Sequence, residues 1–378
     1  MWINLRAGLC AATFVAFLPA TFSSSSNSAR VKIIPKLATD SVKVDADDPA
    51  IWINPTNPAL SAIIGTDKDS AQGGLYVWNL QGEQLQFVPI ERPNNVDVRQ
   101  GMKLGKRMID IAVTQECRKR TLRVFEINPA TGALTDITIA GGIPTPELEA
   151  PYGLCLYRRT SDGAMFVMTS SREGESAKHL HQYQLFDDGQ GKVHGQYVRA
   201  FGRNSILDKV EGLVADDELG YVYAGDEEAA VRKYHADPAS GNDTQLAEFA
   251  LGDGIEGDRE GLAIYRCTEK TGYLLLSSQK GKSYSSIKVY RREGEPGNPH
   301  EHKLLTTLDT IGSEETDGLE VTHHGVHEKF PHGLIVKHDS PGRQFKLYSW
   351  QDFMLGMPQI CASPKPNTVH VGKKAYVR

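Results

Sequence analysis

The chain has 378 residues, of which 40% are hydrophobic, with 36 Gly and 19 Pro; this is the apolar content of a globular fold combined with many turns, and it excludes a disordered polypeptide. The net charge of −5 excludes a general nucleic-acid binder, which needs a basic face, and leaves small anionic ligands open because a local cluster can oppose the overall balance.

The first segment stands apart from the rest. Arg6 precedes an apolar run from Ala7 to Leu18, which ends at Pro19-Ala20 and a Ser-rich stretch from Ser23 to Ser28. A short positive region, an apolar core and small residues form the pattern of a secretory signal, and the run is too short to span a bilayer comfortably. Residues 1–26 are therefore expected to be a signal peptide, the mature protein to be secreted or periplasmic, and no membrane attachment to remain after cleavage. An uncleaved anchor is the alternative, and Cys10 inside the run also leaves a lipoprotein open, with less support. The other cysteines, Cys117, Cys155, Cys267 and Cys361, are dispersed with no C-x-x-C pair, which argues against zinc. Disulfides and free thiols both remain open for them.

Beyond the leader, three strand-like runs recur in the same order six times. In chain order the sets are Pro49–Trp52, Ala62–Gly65 and Leu75–Trp78; Asn95–Val98, Ile109–Ala112 and Leu122–Phe125; Tyr152–Cys155, Met165–Met168 and Leu180–Tyr183. They continue with Glu211–Val214, Tyr221–Ala224 and Val231–Tyr234; Glu260–Ala263, Tyr273–Leu276 and Ile287–Tyr290; Asp317–Glu320, Leu334–Val336 and Phe345–Tyr348. The third run of each set carries an aromatic residue and repeats every 47 to 58 residues, close to the length of a propeller blade. Alternation of apolar and polar residues fits half-buried strands, and few segments sustain a helical period. The expected fold is all-β, a six-bladed β-propeller of four-stranded antiparallel blades, as one domain over residues 30–357. Residues 358–378 are an unplaced tail. A double β-sandwich would not demand the same order of strands six times over.

In a propeller the first strand of each blade lines the central channel and the second runs antiparallel beside it, so the starts of the first and the ends of the second share one mouth. At the starts stand Asp48, Asn95 with Asp97, Tyr152, Glu211, Glu260 and Asp317. At the ends stand Asp67-Lys68-Asp69, Gln115 to Arg118, Arg172-Glu173, Asp226 to Glu228, Gln279-Lys280 and His338-Asp339. Carboxylates packed this closely repel one another and call for a cation; oxygen-only, flexible ligands suit Ca²⁺. Lys68, Arg118 and Arg172 on the same rim make it a receptor for phosphate oxygens. No Arg-His-Gly nucleophile, G-x-S-x-G elbow or Walker lysine loop is present, which leaves metal-assisted attack by water. The His323-His324-Gly325-Val326-His327 cluster falls on the opposite side from the rim and reads as an exposed loop.

At these residues the sequence resembles the β-propeller phytases, from about Asp45 to Phe353. The resemblance rests on Asp45-Ala46-Asp47-Asp48-Pro49-Ala50-Ile51-Trp52, Asn94-Asn95-Val96-Asp97, Arg172-Glu173-Gly174-Glu175, Glu211-Gly212 with Ala215 to Glu218, the run Asp258 to Leu262, and Thr316-Asp317-Gly318. It implies a phosphoric monoester hydrolase, of the 3-phytase type, acting on myo-inositol hexakisphosphate (phytate) with Ca²⁺ as cofactor. Asp48, Asp97, Glu211, Glu227, Asp258, Glu260 and Asp317 match calcium-holding positions, among which Glu211, Asp258, Glu260 and Asp317 are assigned to catalysis. Lys68, Tyr152 and Arg172 match phosphate contacts, and the family's further phosphate-binding arginine falls at Arg118 or Arg120, with Arg118 preferred. The implied mechanism is in-line displacement by water without a phosphoenzyme, on a monomer whose only partner is phytate, taken as its calcium complex. Two positions depart from the family: Asp69, where a second basic residue is usual, and Ile311, where an acidic residue is usual and the nearest is Asp309. A non-catalytic calcium-binding propeller and a calcium-dependent lactonase are the rival readings of the same rim.

Overall fold

The computed structural model describes residues 30–240, 243–279 and 283–360. The leader at residues 1–26, Lys280 and the tail from residue 361 onward lie outside the described residues. Six antiparallel sheets follow one another along the chain, each a blade whose strands run outward from a central axis in sequence order. The innermost strands are Ala46–Trp52, Val96–Leu104, Pro151–Arg158, Val210–Asp216, Leu262–Arg266 and Leu319–Thr322. All six expected aromatic runs fall in third strands, which are Gly74–Asn79, Thr121–Ile127, Leu180–Asp187, Ala230–His235, Tyr284–Arg291 and Gln344–Ser349. The fold is the six-bladed propeller read from the sequence.

The ring is closed by the beginning of the described chain. Leu37–Ala38 pairs antiparallel with Gln344–Ser349 and becomes the outer strand of blade 6. Lys32–Ile33 runs parallel to Leu304–Ile311 on the outside of blade 5. A blade built from both ends of the propeller removes the free edge that an open ring would expose.

Each blade buries both of its faces against its neighbours, so the core is divided among the blade interfaces. Val77, Val98 and Phe125 pack between blades 1 and 2, Leu156, Val167 and Val124 between 2 and 3, and Leu213, Val222 and Met168 between 3 and 4. Tyr223, Leu274 and Tyr290 fill the space between blades 4 and 5, Leu275, Ile335 and Trp350 that between 5 and 6, and Trp78, Val336 and Phe345 that between 6 and 1. Two-sided burial is why several strands, such as Met165–Ser171 and Gly272–Ser278, are buried at every residue and do not alternate. Cys117 and Cys155 are free thiols, whereas Cys267 is disulfide-bonded.

Near the axis, successive inner strands meet backbone to backbone. A Cβ placed on Gly153 would stand 2.4 Å from the carbonyl oxygen of Glu211, on Gly212 2.6 Å from that of Glu260, and on Gly261 2.6 Å from that of Asp317. Gly318 faces the next turn of the ring, where a Cβ would lie 2.3 Å from Asp48 Oδ1, and its N–H donates to the Asp47 carbonyl at 3.2 Å. The glycine after each of Tyr152, Glu211, Glu260 and Asp317 is therefore a spacing requirement of the ring.

Gly212→Ala is expected to destabilise the protein by roughly 1–3 kcal/mol, the cost of overpacking against a backbone that cannot yield. Gly252→Ala, where a Cβ meets nothing within 4 Å, should be close to neutral. Urea unfolding midpoints of the two variants check this; equal midpoints would contradict it.

Candidate active site

The rim of one channel mouth is shaped by a repeated irregularity. Pairing between first and second strands shifts register between Ala46 and Pro49 in blade 1, Pro151 and Leu154 in blade 3, and Val210 and Leu213 in blade 4. Such a bulge sets extra residue length against the partner strand and re-aims side chains. The residues inside the three bulges are Asp47-Asp48, Tyr152-Gly153 and Glu211-Gly212. Glu260 and Asp317 reach the same mouth from just ahead of the inner strands of blades 5 and 6. In five of the six blades the loop entering the rim is pinned by the last residue of the second strand. Asp67 accepts the N–H groups of Val44 and Asp45, both at 3.0 Å, and Asp226 those of Leu207 and Asp208, both at 2.9 Å. Ser171 and Ser278 hydroxyls accept those of Ala150 at 3.0 Å and Glu256 at 2.8 Å.

At the centre, one carboxylate oxygen from each of Glu211, Glu227 and Glu260 lies within 4.8 Å of the others, and all three residues are buried. Tyr152 donates its hydroxyl to Glu211 Oε2 at 2.6 Å, and Asn94 Nδ2 donates to Glu211 Oε1 at 2.5 Å. Gln279 Nε2 donates to Glu260 Oε2 and, at 3.1 Å, to Asp317 Oδ1. Lys68 Nζ bridges Asp47 Oδ1 at 2.6 Å and Asp317 Oδ2 at 3.1 Å. Behind Asp317, buried His338 accepts the Asp317 backbone N–H on Nδ1 at 3.1 Å. The guanidinium of Arg172 lies over the Tyr152 ring, 5.1 Å from its centroid, and projects from an exposed position.

Five carboxylates thus face two paired lysines, Lys68 and Lys209. Burial pushes the Glu211 carboxyl upward, and it pushes Glu227 up to about 7 in spite of Lys209 beside it. Burial and then Asp317 push Glu260 further upward. Asp47 is raised by burial even with Lys68 in contact, and its Oδ2, like Glu227 Oε1, is buried without a hydrogen-bond partner. A cluster of oxygen donors with excess negative charge and buried, uncommitted oxygens fits a hard divalent cation. Among the described residues it is the one cluster of three or more such side chains with this spacing.

The sequence-predicted residues separate into four places. Lys68, Tyr152, Arg172, Glu211, Glu227, Glu260 and Asp317 share the cluster. Asp258 stands beside it, half-buried, its N–H donating to Gln279 Oε1 at 3.4 Å. Asp48 and Asp97 sit deeper in the channel and bind protein groups. Asp48 Oδ2 accepts Val96 N–H at 3.1 Å, and Asp97 pairs with Arg99 at 3.0 Å and accepts Leu156 N–H at 2.7 Å. Arg118 is at the outer edge, 61% exposed, paired with Glu91 at 3.2 Å. Asp69 caps its own turn by accepting Ala71 and Gln72 N–H groups, and Asp309 pairs with Arg30 at 3.5 Å. His323 and His324 are half-buried and not an exposed loop: they line a concavity of about 300 Å³ at the opposite mouth with Arg99, Arg266 and Arg292.

Asp47, Asn94 and Lys209 are the site residues that sequence reasoning did not single out, and Gln279 and His338 were placed at the rim without a role. Asp47 was visible as the neighbour of Asp48, since adjacent strand residues face opposite sides, but only the bulge decides which one reaches the rim. Lys209 lies two residues before Glu211, the spacing that places side chains on one face.

A family model described as Phytase matches residues 4–355. The 3-phytase of Bacillus subtilis (strain 168) is 35% identical over 316 residues, covering 81% of this chain and 79% of that protein. Among solved structures, regucalcin of Agrobacterium tumefaciens, described as a calcium-binding protein, aligns over 84% of this chain and 96% of its own at 11% identity and a TM-score of 0.47. A luciferin-regenerating enzyme aligns over 82% and 91% at 13% identity and a TM-score of 0.49. Likenesses this distant carry no argument.

The raised carboxyls fix the sign of a pH effect. Without a cation, Glu227 binds more protons in the folded chain than in the unfolded chain between the ordinary glutamate value of 4.5 and its own value of about 7. Its contribution to stability must therefore fall as pH rises through that window, whereas His302 and His338, pushed down to about 4 by burial, contribute with the opposite sign below their ordinary 6.5. In chelator the melting temperature of the wild type relative to Glu227→Gln is expected to decline from pH 5 to pH 8, and a saturating divalent cation should remove the decline; a difference that climbs over this range in chelator would be the contrary result.

Proposed function

Because the chain belongs to the phytase family and is a phosphoric monoester hydrolase, we propose that it releases phosphate from myo-inositol hexakisphosphate with calcium held at the rim cluster, by in-line attack of water and without a phosphoenzyme. The observation that carries this reading is the convergence of Glu211, Glu227 and Glu260 within 4.8 Å, next to an exposed Arg172. All-oxygen donors on flexible glutamates suit calcium better than the strict octahedron of magnesium. Bound there, calcium would neutralise phosphate oxygens and polarise a water molecule.

The chain's own groups do the rest. Arg172, braced on the Tyr152 ring, presents its donors to phosphate oxygens from one side, and Lys68 does so from the other. Tyr152 and Asn94 hold Glu211 by both oxygens, and Gln279 holds Glu260 and Asp317 at a fixed separation. Arg118 at the outer edge suits a second phosphate of the same substrate, and Asp258 completes the acidic side. Water is favoured as nucleophile because the nearest thiol is disabled. Cys117 donates to the Pro151 carbonyl at 3.1 Å, and burial pushes its pKa up to about 12. Secretion or periplasmic residence and action as a monomer on a calcium–phytate complex belong to the same reading, supported by the apolar run in the leader and the acidic rim.

Purified protein is expected to release phosphate from phytate in calcium and to stop in chelator, with the first product lacking the 3-phosphate. Glu260→Gln should lower kcat by roughly 10²–10³-fold with an unchanged circular dichroism spectrum. A lactone assayed in parallel should not be turned over. Absence of phosphate release at saturating calcium would sink the proposal.

A further inference from the structure

Lys209 is a cation of the rim that the resemblance does not assign, and its backbone is fixed on both sides. The loop before it is tied down where Asp226 accepts the Leu207 and Asp208 N–H groups at 2.9 Å. Its own carbonyl accepts the N–H of Glu227 at 3.1 Å. With the main chain held, the side chain has one direction to extend, across the mouth of the site. Its ammonium lies 5.8 Å from the centroid of the Tyr152 ring, the ring that also carries Arg172 at 5.1 Å. Two cations therefore use one aromatic support, and that support donates to Glu211.

The two cations differ in what else they touch. Arg172 forms no ion pair among the described residues, whereas Lys209 Nζ is in contact with Glu227 Oε2. The Lys209 side chain is 26% exposed and that of Glu227 is 0% exposed, so the ammonium sits at the boundary between buried carboxylate and open mouth. Glu227 is also one of the three glutamates spaced for a divalent cation. A lysine on Oε2 and a cation on the unpartnered Oε1 of the same carboxylate repel each other strongly in a partly desolvated site, so each weakens the other's hold.

We infer that Lys209 is a phosphate-contacting, specificity-determining residue that occupies Glu227 until a divalent cation takes that carboxylate. Resting on the site proposed above, the inference assigns the lysine two roles in sequence. In the cation-free protein it offsets part of the charge of the glutamate cluster and competes with the entering ion. Once displaced, its flexible four-carbon stem lets the ammonium turn from Glu227 toward the mouth, beside Arg172, where the anion available is a substrate phosphate. The site then holds phosphate between Lys68 on the blade 1 side and the Arg172–Lys209 pair on the side of blades 3 and 4.

The test is Lys209→Gln in the full chain, with Lys209→Arg as the charge-preserving variant, read in two independent ways. Calcium titration by calorimetry, with no substrate present, should show several-fold tighter binding for Lys209→Gln, because the competitor for Glu227 has gone. Phytate kinetics at saturating calcium should show KM raised by about tenfold with kcat within about twofold, the pattern of lost binding common to ground and transition states. Lys209→Arg should restore KM. Weaker calcium binding by Lys209→Gln would overturn the inference by showing that the lysine positions Glu227 for the ion. An unchanged KM would overturn it by reducing Lys209 to a structural partner. If Lys209→Gln fails to fold, Lys209→Met in the same two measurements decides. Should wild-type protein release no phosphate from phytate, the functional proposal fails by itself, while the calcium titration still judges the competition.

Discussion

The backbone contact between successive inner strands is the constraint on which the rest depends. Gly153, Gly212 and Gly261 each lie where a Cβ would come within 2.4 to 2.6 Å of the next blade's carbonyl oxygen. Because the strands approach that far, the residue preceding each glycine is carried into the same small volume as its neighbours. Tyr152, Glu211, Glu260 and Asp317 are those residues, and Asp47 joins them where Gly318 closes the ring on blade 1. Tight packing at the axis thus produces a concentration of negative charge that nothing else in the fold requires. An unpaired buried ion costs several kcal/mol even after relaxation, so this geometry is retained at a standing cost to stability.

The two mouths of the channel show what that cost implies. At the far mouth the carboxylates are matched by arginines. Arg292, fully buried, pairs with Asp216 at 2.5 Å and Glu218 at 2.6 Å, and Arg99 pairs with Asp97 at 3.0 Å and Asp217 at 3.2 Å. Those pairs hold the ends of the inner strands together, with Glu320 the carboxylate of that mouth left without an ion pair among the described residues. At the near mouth the partners are amides, a phenol and two lysines. Asn94, Gln279 and Tyr152 satisfy hydrogen bonds without supplying charge. A site meant only to hold the ring together would resemble the far mouth; the near mouth keeps its charge in reserve for a ligand.

Much of this was legible in the sequence, and the reason is the propeller's repetition. Three strand types in fixed order locate every blade, and blade-equivalent positions then identify Glu211, Glu260, Asp317, Tyr152, Lys68 and Arg172 without coordinates. What was not legible depends on irregularity. A bulge is invisible in the alternation of Asp47 and Asp48, so the sequence favoured Asp48, which instead caps Val96 inside the channel. Asp97 looked like a rim carboxylate, but the Arg99 beside it claims it. The closing strand Leu37–Ala38 is only two residues long and carries no periodic signal of its own. Asn94 and Gln279 are uncharged, and their importance lies in which carboxylates they touch, which only the folded ring decides.

The lysines complete the physical account, because a cluster that waits for a cation must also survive without one. Lys68 spans Asp47 and Asp317, residues 270 positions apart in sequence and adjacent across the seam between blades 1 and 6. Lys209 covers Glu227 in blade 4, away from that seam. One ammonium therefore stands at the closure of the ring and the other within an uninterrupted part of it. Their difference in surroundings follows: Lys68 is held by two carboxylates, whose combined pull opposes the effect of burial and pushes its pKa upward. Lys209 has one carboxylate and an aromatic face, a weaker hold. Displacing Lys68 would open the seam that the first and last blades share, whereas displacing Lys209 leaves the ring intact. A charge-balancing residue and an exchangeable one can thus be told apart by the number of carboxylates each bridges and by where the chain is closed.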